Sequence, residues 1–468
     1  MNSPFSFKCI NGHEIIEDIF HGSNIIYECP ECEELIYIDN SFSVNPAPFF
    51  KIKHSFWEYI KEIIPEGLIQ KIVTINEGNT PLFQSRKKEL LEWNNVYFKD
   101  ETQNPTKSYR DRAASVLVSH AASIGFKTIF SASMGNMGAS ISAYAASAGL
   151  VSRIFSEKEI DIGKKAQILT FGGILSDDFQ DIDAAMENCL NTQIEEGGYQ
   201  ATAELNPLAL LAQKTISYEI YADEIIPDEI YVSIGNGGTL FSIWQGFNDL
   251  KEWGLISEVP KMMGASMMAG PDSKVSTLKK SGKYSQRKLM DIAIKESRGS
   301  VIEMADEEIG TAISTLARAE ALFAEPAAAA AYAALLRQQC DENYENDKIR
   351  VVIITGSGLK APSVINALTR NEPYPSERTF QNKLNLRVQI LEKLSQIGDD
   401  GLHGYGIYAL VKNEMKCSKQ AIYLHLKQLE EKMFIQNAGK DEQGRKIFRI
   451  TPNGKEVLDL LKKLVLLL

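Results

Sequence analysis

An α/β fold built on a parallel sheet, with a small cysteine-containing module before it and a helical unit after it, is what this sequence predicts. Three observations lead there. Between about residues 74 and 367, short β-like apolar runs alternate with helical ones, the pattern of a parallel sheet covered on both faces. Cysteine and histidine cluster within the first 40 residues. The last 85 residues read as amphipathic helices with one hairpin.

With 468 residues the chain is too long for one ordinary domain. An apolar fraction of 44% and a charged fraction of 24% exclude disordered, collagen-like and disulfide-stapled classes. No run of apolar residues is long enough for a transmembrane helix, and the first residues lack the basic start and apolar core of a signal peptide. Six sparse cysteines point to a reduced cytoplasm. The net charge of −11 is uneven: residues 381–468 carry 15 Lys/Arg against 10 Asp/Glu, or +5, which leaves −16 for the rest. Only the tail is suited to meet a polyanion.

Residues 1–45 form the first unit. Cys29-Pro30-Glu31-Cys32 is a C-x2-C knuckle, and Cys9 with His13 is a C-x3-H pair upstream of it. Four such ligands on two tight turns suit a structural tetrahedral zinc ion (Zn2+), and a module of this size needs one to fold. His21 in place of His13 as fourth ligand, and a degenerate ribbon holding no metal, are the alternatives. A strand is expected over 34–38.

Residues 46–370 form the central domain. Runs 96–99, 128–131, 230–234 and 351–355 read as buried strands; 113–124, 138–148, 240–250 and the Ala-rich 327–337 read as helices. Three strand-to-helix turns are suited to a phosphate-bearing ligand. The first is Gly235-Asn236-Gly237-Gly238-Thr239, where glycines let successive N–H groups turn toward one anion and a helix N-terminus adds partial positive charge. The others are Ser133-Met134-Gly135-Asn136-Met137-Gly138 and Thr355-Gly356-Ser357-Gly358-Leu359-Lys360.

Together these turns resemble the threonine synthase family of pyridoxal-phosphate (PLP) enzymes, the fold-type II group shared with the tryptophan synthase β subunit. Further landmarks follow family order: Glu77-Gly78-Asn79-Thr80-Pro81-Leu82, the segment from Lys99 to Thr106, Asn206-Pro207 and Glu325-Pro326. The resemblance covers about Cys9 to Ala367, because many members carry an N-terminal zinc-ribbon-like segment. It implies that Asn136 approaches the cofactor's ring hydroxyl, that Gly235, Asn236, Gly237, Gly238 and Thr239 hold its phosphate, and that Thr355 meets its ring nitrogen.

The pattern breaks where the cofactor is attached. The family writes Asn-Pro-Thr-Gly-Ser-Phe-Lys-Asp-Arg, with the lysine forming the Schiff base; here the segment is Asn104-Pro105-Thr106-Lys107-Ser108-Tyr109-Arg110-Asp111-Arg112. A guanidinium stays protonated and makes no stable imine, so Arg110 cannot perform that step. Lys107 stands at the family's glycine position. If a helix opens over 106–110, Lys107 shares a face with Arg110 and can reach the aldehyde; otherwise it is a solvated lysine at the mouth of the cleft. Met134 and Met137 replace the hydroxyl residues that, by the resemblance, bind the substrate carboxylate.

Residues 371–383, with two prolines and mostly polar neighbours, read as a linker. Residues 384–468 read as a winged helix. Leu386, Ile390 and Leu394 mark one helix, His403-Gly404-Tyr405-Gly406 opens a second, and Ser418 caps a third, 419–433. On that third helix Ile422, Leu426, Leu429 and Met433 form a core face, and Lys419, Gln420, Tyr423 and Lys427 form a polar, basic one suited to DNA. Arg445, Lys446 and Arg449 lie on or near the hairpin that would be the wing. Thr451 and Pro452 start a last helix, whose apolar end suits pairing into a homodimer better than entry into a membrane. The unit resembles PadR-like winged-helix regulators.

The expected function is that of a transcriptional regulator that binds PLP, an amino acid or a phosphorylated metabolite, with catalysis lost or altered and PLP held non-covalently or not at all. The alternative is an active PLP-dependent lyase or synthase of amino-acid metabolism that uses Lys107.

Overall fold

The computed structural model describes residues 6–15, 20, 25–39, 52–86, 95–158, 160–267, 284–339, 344–362, 375–412, 419–441 and 443–465, with side chains omitted at 375–385, 399, 419–421 and 460–465. The chain divides into two units, one holding 1–336 with 345–370 and the other 337–344 with 371–468.

In the first unit a three-stranded antiparallel sheet orders Glu14–Ile15, Ser6–Cys9 and Ile36–Asp39. Alternation along Ile36–Asp39 turns Ile36 and Ile38 inward, where they join the core of the central domain. Tyr37 meets Phe241 edge-on at 5.4 Å, and Gln245 donates to the Ile38 carbonyl, so the ribbon is docked on the central domain.

Two parallel sheets make up the rest of that unit. The larger runs in the order Ser300–Met304, Lys261–Met267, Glu229–Ser233, Arg350–Ile354, Val96–Asp100 and Leu82–Gln84, the last strand antiparallel. The smaller orders Ile174–Phe179, Val151–Glu157, Thr128–Ala132 and Tyr199–Gln200. The expected strands and helices fall within two or three residues of the observed ones. The Ala-rich segment forms the helix Pro326–Gln338, in which Ala327 to Leu335 are all buried; alanine lets neighbouring elements pack closely against it on all sides.

In the second unit the helices Pro375–Ile397, Gly404–Lys412, Lys419–Glu431 and Pro452–Val465 accompany a sheet ordered Leu402–His403, Lys446–Ile450, Ile435–Lys440. Leu386, Ile390, Leu394, Ile422, Leu426 and Leu429 share one core. Thr451 caps the last helix by accepting from the Gly454 N–H. Two expectations are corrected. Residues 375–383, read as linker, begin the first helix, because Pro375 at a first helical position promotes a helix. Met433 is 70% exposed; at φ 57° it is the left-handed residue that ends its helix, and its side chain swings out of the core. Ser418 lies outside the described residues, as does His21. Among the described residues, no helix is long and apolar enough to cross a membrane.

Candidate functional site

The carboxyl ends of three parallel strands converge on one open cleft, where α/β sheets present their loops. Ser133 follows Thr128–Ala132, Gly235 follows Glu229–Ser233 and Thr355 follows Arg350–Ile354. The helices Asn136–Ala148 and Gly238–Glu252 begin there, so two helix N-termini face the cleft. The structure brings together the 235–239 turn, Asn136, Thr355 and Arg110, as the sequence led one to expect.

The 235–239 turn meets the cleft through its backbone. Gly237 holds φ 100°, and a Cβ there would fall 2.8 Å from the Met290 Cβ. Asn236 serves as a brace: its Nδ2 donates to the Tyr284 carbonyl at 3.2 Å and its Oδ1 accepts from the Gln286 N–H at 3.0 Å. The Thr239 hydroxyl donates to the Tyr109 hydroxyl at 2.9 Å. Tyr109, whose hydroxyl burial keeps protonated, thus links the 104–112 segment to the 235–239 turn, a contact that sequence reading missed.

At the opposite end, Asn136 Nδ2 donates to Glu325 Oε1 at 2.6 Å, and Lys164 Nζ lies 3.3 Å from Glu325 Oε2. Asn136 Oδ1 is buried and has no hydrogen-bond partner. Behind this pair Lys360 Nζ is buried without a partner, and burial pushes its pKa down to about 8 against the pull of Asp111 and Glu325. Arg110 lines the cleft with its guanidinium carbon 4.9 Å from the Tyr109 ring centroid. The helix Arg110–Ser123 begins at Arg110, and Lys107 precedes it at φ 68° in a turn whose carbonyl accepts from the Ser357 N–H. The two residues therefore share no helix face, and Lys107 is not on the cleft wall. Among the described residues that line the cleft there is no lysine.

Beneath the cleft, Arg112 is fully buried between two carboxylates, Nη2 at 2.8 Å from Glu101 Oε1 and Nη1 at 2.5 Å from Glu219 Oε1. Lys99 Nζ adds a 2.6 Å contact to Glu219 Oε2. Burial alone would raise the Glu219 pKa, but Arg112 and Lys99 outweigh it and hold the carboxyl well below its usual range. Glu219 also accepts from the Asn79 and Thr80 N–H groups, so three of the motif segments named above are tied by one ionic network.

The pyridoxal-phosphate dependent enzyme family model matches residues 73–356. Threonine synthase of Methanocaldococcus jannaschii is 32% identical over 79% of this chain and 96% of its own length. The chain belongs to the pyridoxal-phosphate dependent enzymes. The threonine synthase of Methanosarcina acetivorans is 31% identical over 77% of this chain and 93% of its own. In fold, the PLP-enzyme domain is similar to O-ureido-L-serine synthase, at TM-score 0.55 and 18% identity over 66% of this chain and 98% of that one. Maize serine racemase gives TM-score 0.51 at 17% identity over 62% and 92%. The fold is therefore fold-type II, and the nearby sequences are threonine synthases. Residues 393–460 match the PadR-like family of transcriptional regulators.

The residues present fit PLP at one end of the cleft. The 235–239 turn offers N–H groups to a phosphate, Asn136 Oδ1 is an acceptor in want of a donor such as a ring hydroxyl, and Thr355 is buried at the third turn. They do not fit covalent attachment, because a guanidinium stands where the amine belongs.

Two further groups of sequence-identified residues are placed. Cys9, His13, Cys29 and Cys32 bring their ligand atoms within 4.8 Å of one another. Cys9 Sγ lies 3.5 Å from His13 Nδ1 and 3.7 Å from Cys32 Sγ, and Cys29 Sγ lies 3.6 Å from His13 Nδ1. Separations of this size would suit a tetrahedral ion at about 2.3 Å from each sulfur. In the winged-helix unit, Tyr423 and Lys427 are exposed on Lys419–Glu431, while the side chains of Lys419 and Gln420 are outside the described residues. Arg445 is bound by Asp441 and Lys446 by Glu430, each at 2.7 Å. Such exposed pairs contribute about 0–1 kcal/mol.

Proposed function

We propose that this chain is a ligand-responsive transcriptional regulator whose PLP-enzyme domain binds PLP or a related phosphate-bearing metabolite without a covalent bond and without turnover. The observation that carries this reading is Arg110 on a cleft wall that has no lysine among its described residues. Bound PLP supplies an electron-withdrawing ring for carbanion chemistry, which needs an amine at this position to exchange with substrate. Arg110 cannot serve. The residues of this chain hold and orient: the 235–239 turn takes the phosphate, Asn136 Oδ1 accepts from the ring hydroxyl and Thr355 meets the ring nitrogen. Met134 and Met137 fill space where a substrate carboxylate would need donors, which weakens its binding by about 1–3 kcal/mol per lost bond.

In the same reading, Cys9, His13, Cys29 and Cys32 hold a structural zinc ion that closes the N-terminal ribbon. The Lys419–Glu431 helix and the wing contact DNA, and the protein acts as a homodimer. Ligand occupancy alters the affinity for DNA.

The test uses the full chain with PLP, followed by borohydride reduction, desalting and peptide mass mapping, and in parallel a DNA selection from a random duplex library with and without PLP. The expected result is PLP that is lost on desalting, no pyridoxyl adduct, and a DNA affinity that changes with PLP. An adduct on Lys107 together with product formed from an amino-acid phosphoester would overturn the reading in favour of an active lyase or synthase. Lys427→Ala should weaken DNA binding across sequences and flatten its salt dependence.

A further inference from the structure

The 235–239 turn, Asn136 and the cation Arg110 line one cleft. Arg110 has no ion-pair partner among the described residues, although two carboxylates also line the cleft. Glu325 is engaged by Asn136 and Lys164. The Glu204 carbonyl accepts from Gln286 Nε2 at 3.1 Å, and the Oε1 of Gln286 lies against Gly238; this places the Glu204 backbone beside the phosphate turn. The guanidinium of Arg110 lies instead over the face of Tyr109, the residue whose hydroxyl is bonded to Thr239. A ligand that seats its phosphate on the 235–239 turn and a hydroxyl on Asn136 Oδ1 shares the cleft with a permanent positive charge that has no ion-pair partner among the described residues.

We propose that Arg110 reads the ligand's remaining substituent: it accepts a carbonyl or carboxylate oxygen and rejects an ammonium group. This inference rests on the ligand-binding reading above and narrows it, because it assigns the ligand to the aldehyde or acid forms of vitamin B6 phosphate and not the amine form. The physical basis is the planar fork of guanidinium donors, which matches carboxylate oxygens in pairs and hydrogen-bonds a carbonyl oxygen. It has no acceptor to offer an ammonium and repels it. Glu325 is already paired with Lys164 and bonded to Asn136, so it offers an ammonium less than a free carboxylate would.

Three compounds that share ring, hydroxyl and phosphate and differ at one carbon test the proposal on the full chain: PLP, pyridoxic acid phosphate and pyridoxamine phosphate. Calorimetric titration gives their affinities, and thermal shift gives an independent readout. PLP and the acid should each bind at least about tenfold more tightly than the amine, a ratio typical of one charged hydrogen-bonded contact exchanged for a like-charge one. Arg110→Met should bring the three affinities within about threefold of one another while binding of the shared phosphate persists. Arg110→Lys restores an amine that condenses with the PLP aldehyde and releases water; borohydride then reduces the carbon–nitrogen double bond, and the adduct should map to position 110. Melting curves of both variants show whether they fold.

Equal or tighter binding of the amine by the unaltered chain overturns the proposal, and so does a preference that survives Arg110→Met. Either result leaves the ligand-binding reading standing. If none of the three compounds binds, that reading falls as well.

Discussion

At one side of the cleft, Gly237 at φ 100° and the helix N-terminus behind it present backbone alone. On the same cleft, Arg110, Met134 and Met137 stand where the threonine synthase pattern has an amine and two hydroxyls. The Arg112, Glu101 and Glu219 network ties the 77–82, 99–106 and 104–112 segments together. On the reading proposed above, a scaffold that keeps its frame and its anion-binding turn while changing the groups that make and break bonds would retain recognition and lose turnover. The phosphate end needs only geometry, whereas the reaction end needs a particular protonation chemistry, and that is the part a single substitution removes.

The comparison breaks most completely if the shared frame is broken. Glu219→Gln leaves Arg112 with one carboxylate and Lys99 with none, in a region with no access to water. The expected loss is about 3–5 kcal/mol of stability in denaturant unfolding, with both ends of the cleft lost together. The network also sets an acid limit. Glu101 and Glu219 are held below the ordinary carboxylate range, so their contribution is present above the unfolded pKa of about 4.3 and is lost as pH falls.

A smaller effect separates the ends. Gly237→Ala places a Cβ 2.8 Å from the Met290 Cβ and puts a non-glycine residue in a left-handed conformation, which costs about 1–2 kcal/mol. PLP affinity should fall roughly tenfold by titration, and the Arg110 preference between acid and amine ligands should survive in what binding remains.

Much of this was legible in the sequence, for a reason that differs from residue to residue. The 235–239 turn could be read because strand, glycines and helix are contiguous and the requirement is local. Arg110 could be read because the difference between guanidinium and amine is a property of the residue itself. The partners of Asn136 could not: Glu325 lies 189 residues away, and Lys164 carries no motif at all. Tyr109 and Thr239, 130 residues apart, meet only because the attachment segment is bonded to the Thr355 turn through the Tyr109 N–H and the Lys107 carbonyl. Those same bonds delay the helix to Arg110, so the spacing rule linking Lys107 to Arg110 has no helix to act on.

Lys360 offers a sharper view of the interior. Its amine is pushed down to about 8 by burial, so between about pH 8 and 10 the unfolded chain binds a proton the folded chain does not, and stability rises with pH there. Lys360→Met should flatten that rise in unfolding measurements at pH 7.5, 8.5 and 9.5. A slope unchanged by the substitution would mean that another group supplies it.

The smallest effect decides between the two readings of the reaction end. Lys107 sits at φ 68°, a conformation that a side chain disfavours by about 1–2 kcal/mol and that glycine, the residue of the family pattern, adopts freely. The greater freedom of glycine in the unfolded chain offsets part of that gain, so Lys107→Gly should stabilise the protein by about 0.5–1 kcal/mol. Because Lys107 is not on the cleft wall, PLP affinity and the response of DNA binding to PLP should be unchanged. If Lys107 were instead the amine of an active enzyme, the same substitution would abolish turnover and any borohydride-fixed adduct. Gain of stability with no loss of ligand response is thus the outcome that joins a relaxed turn to a receptor, and loss of an adduct is the outcome that returns the chain to catalysis.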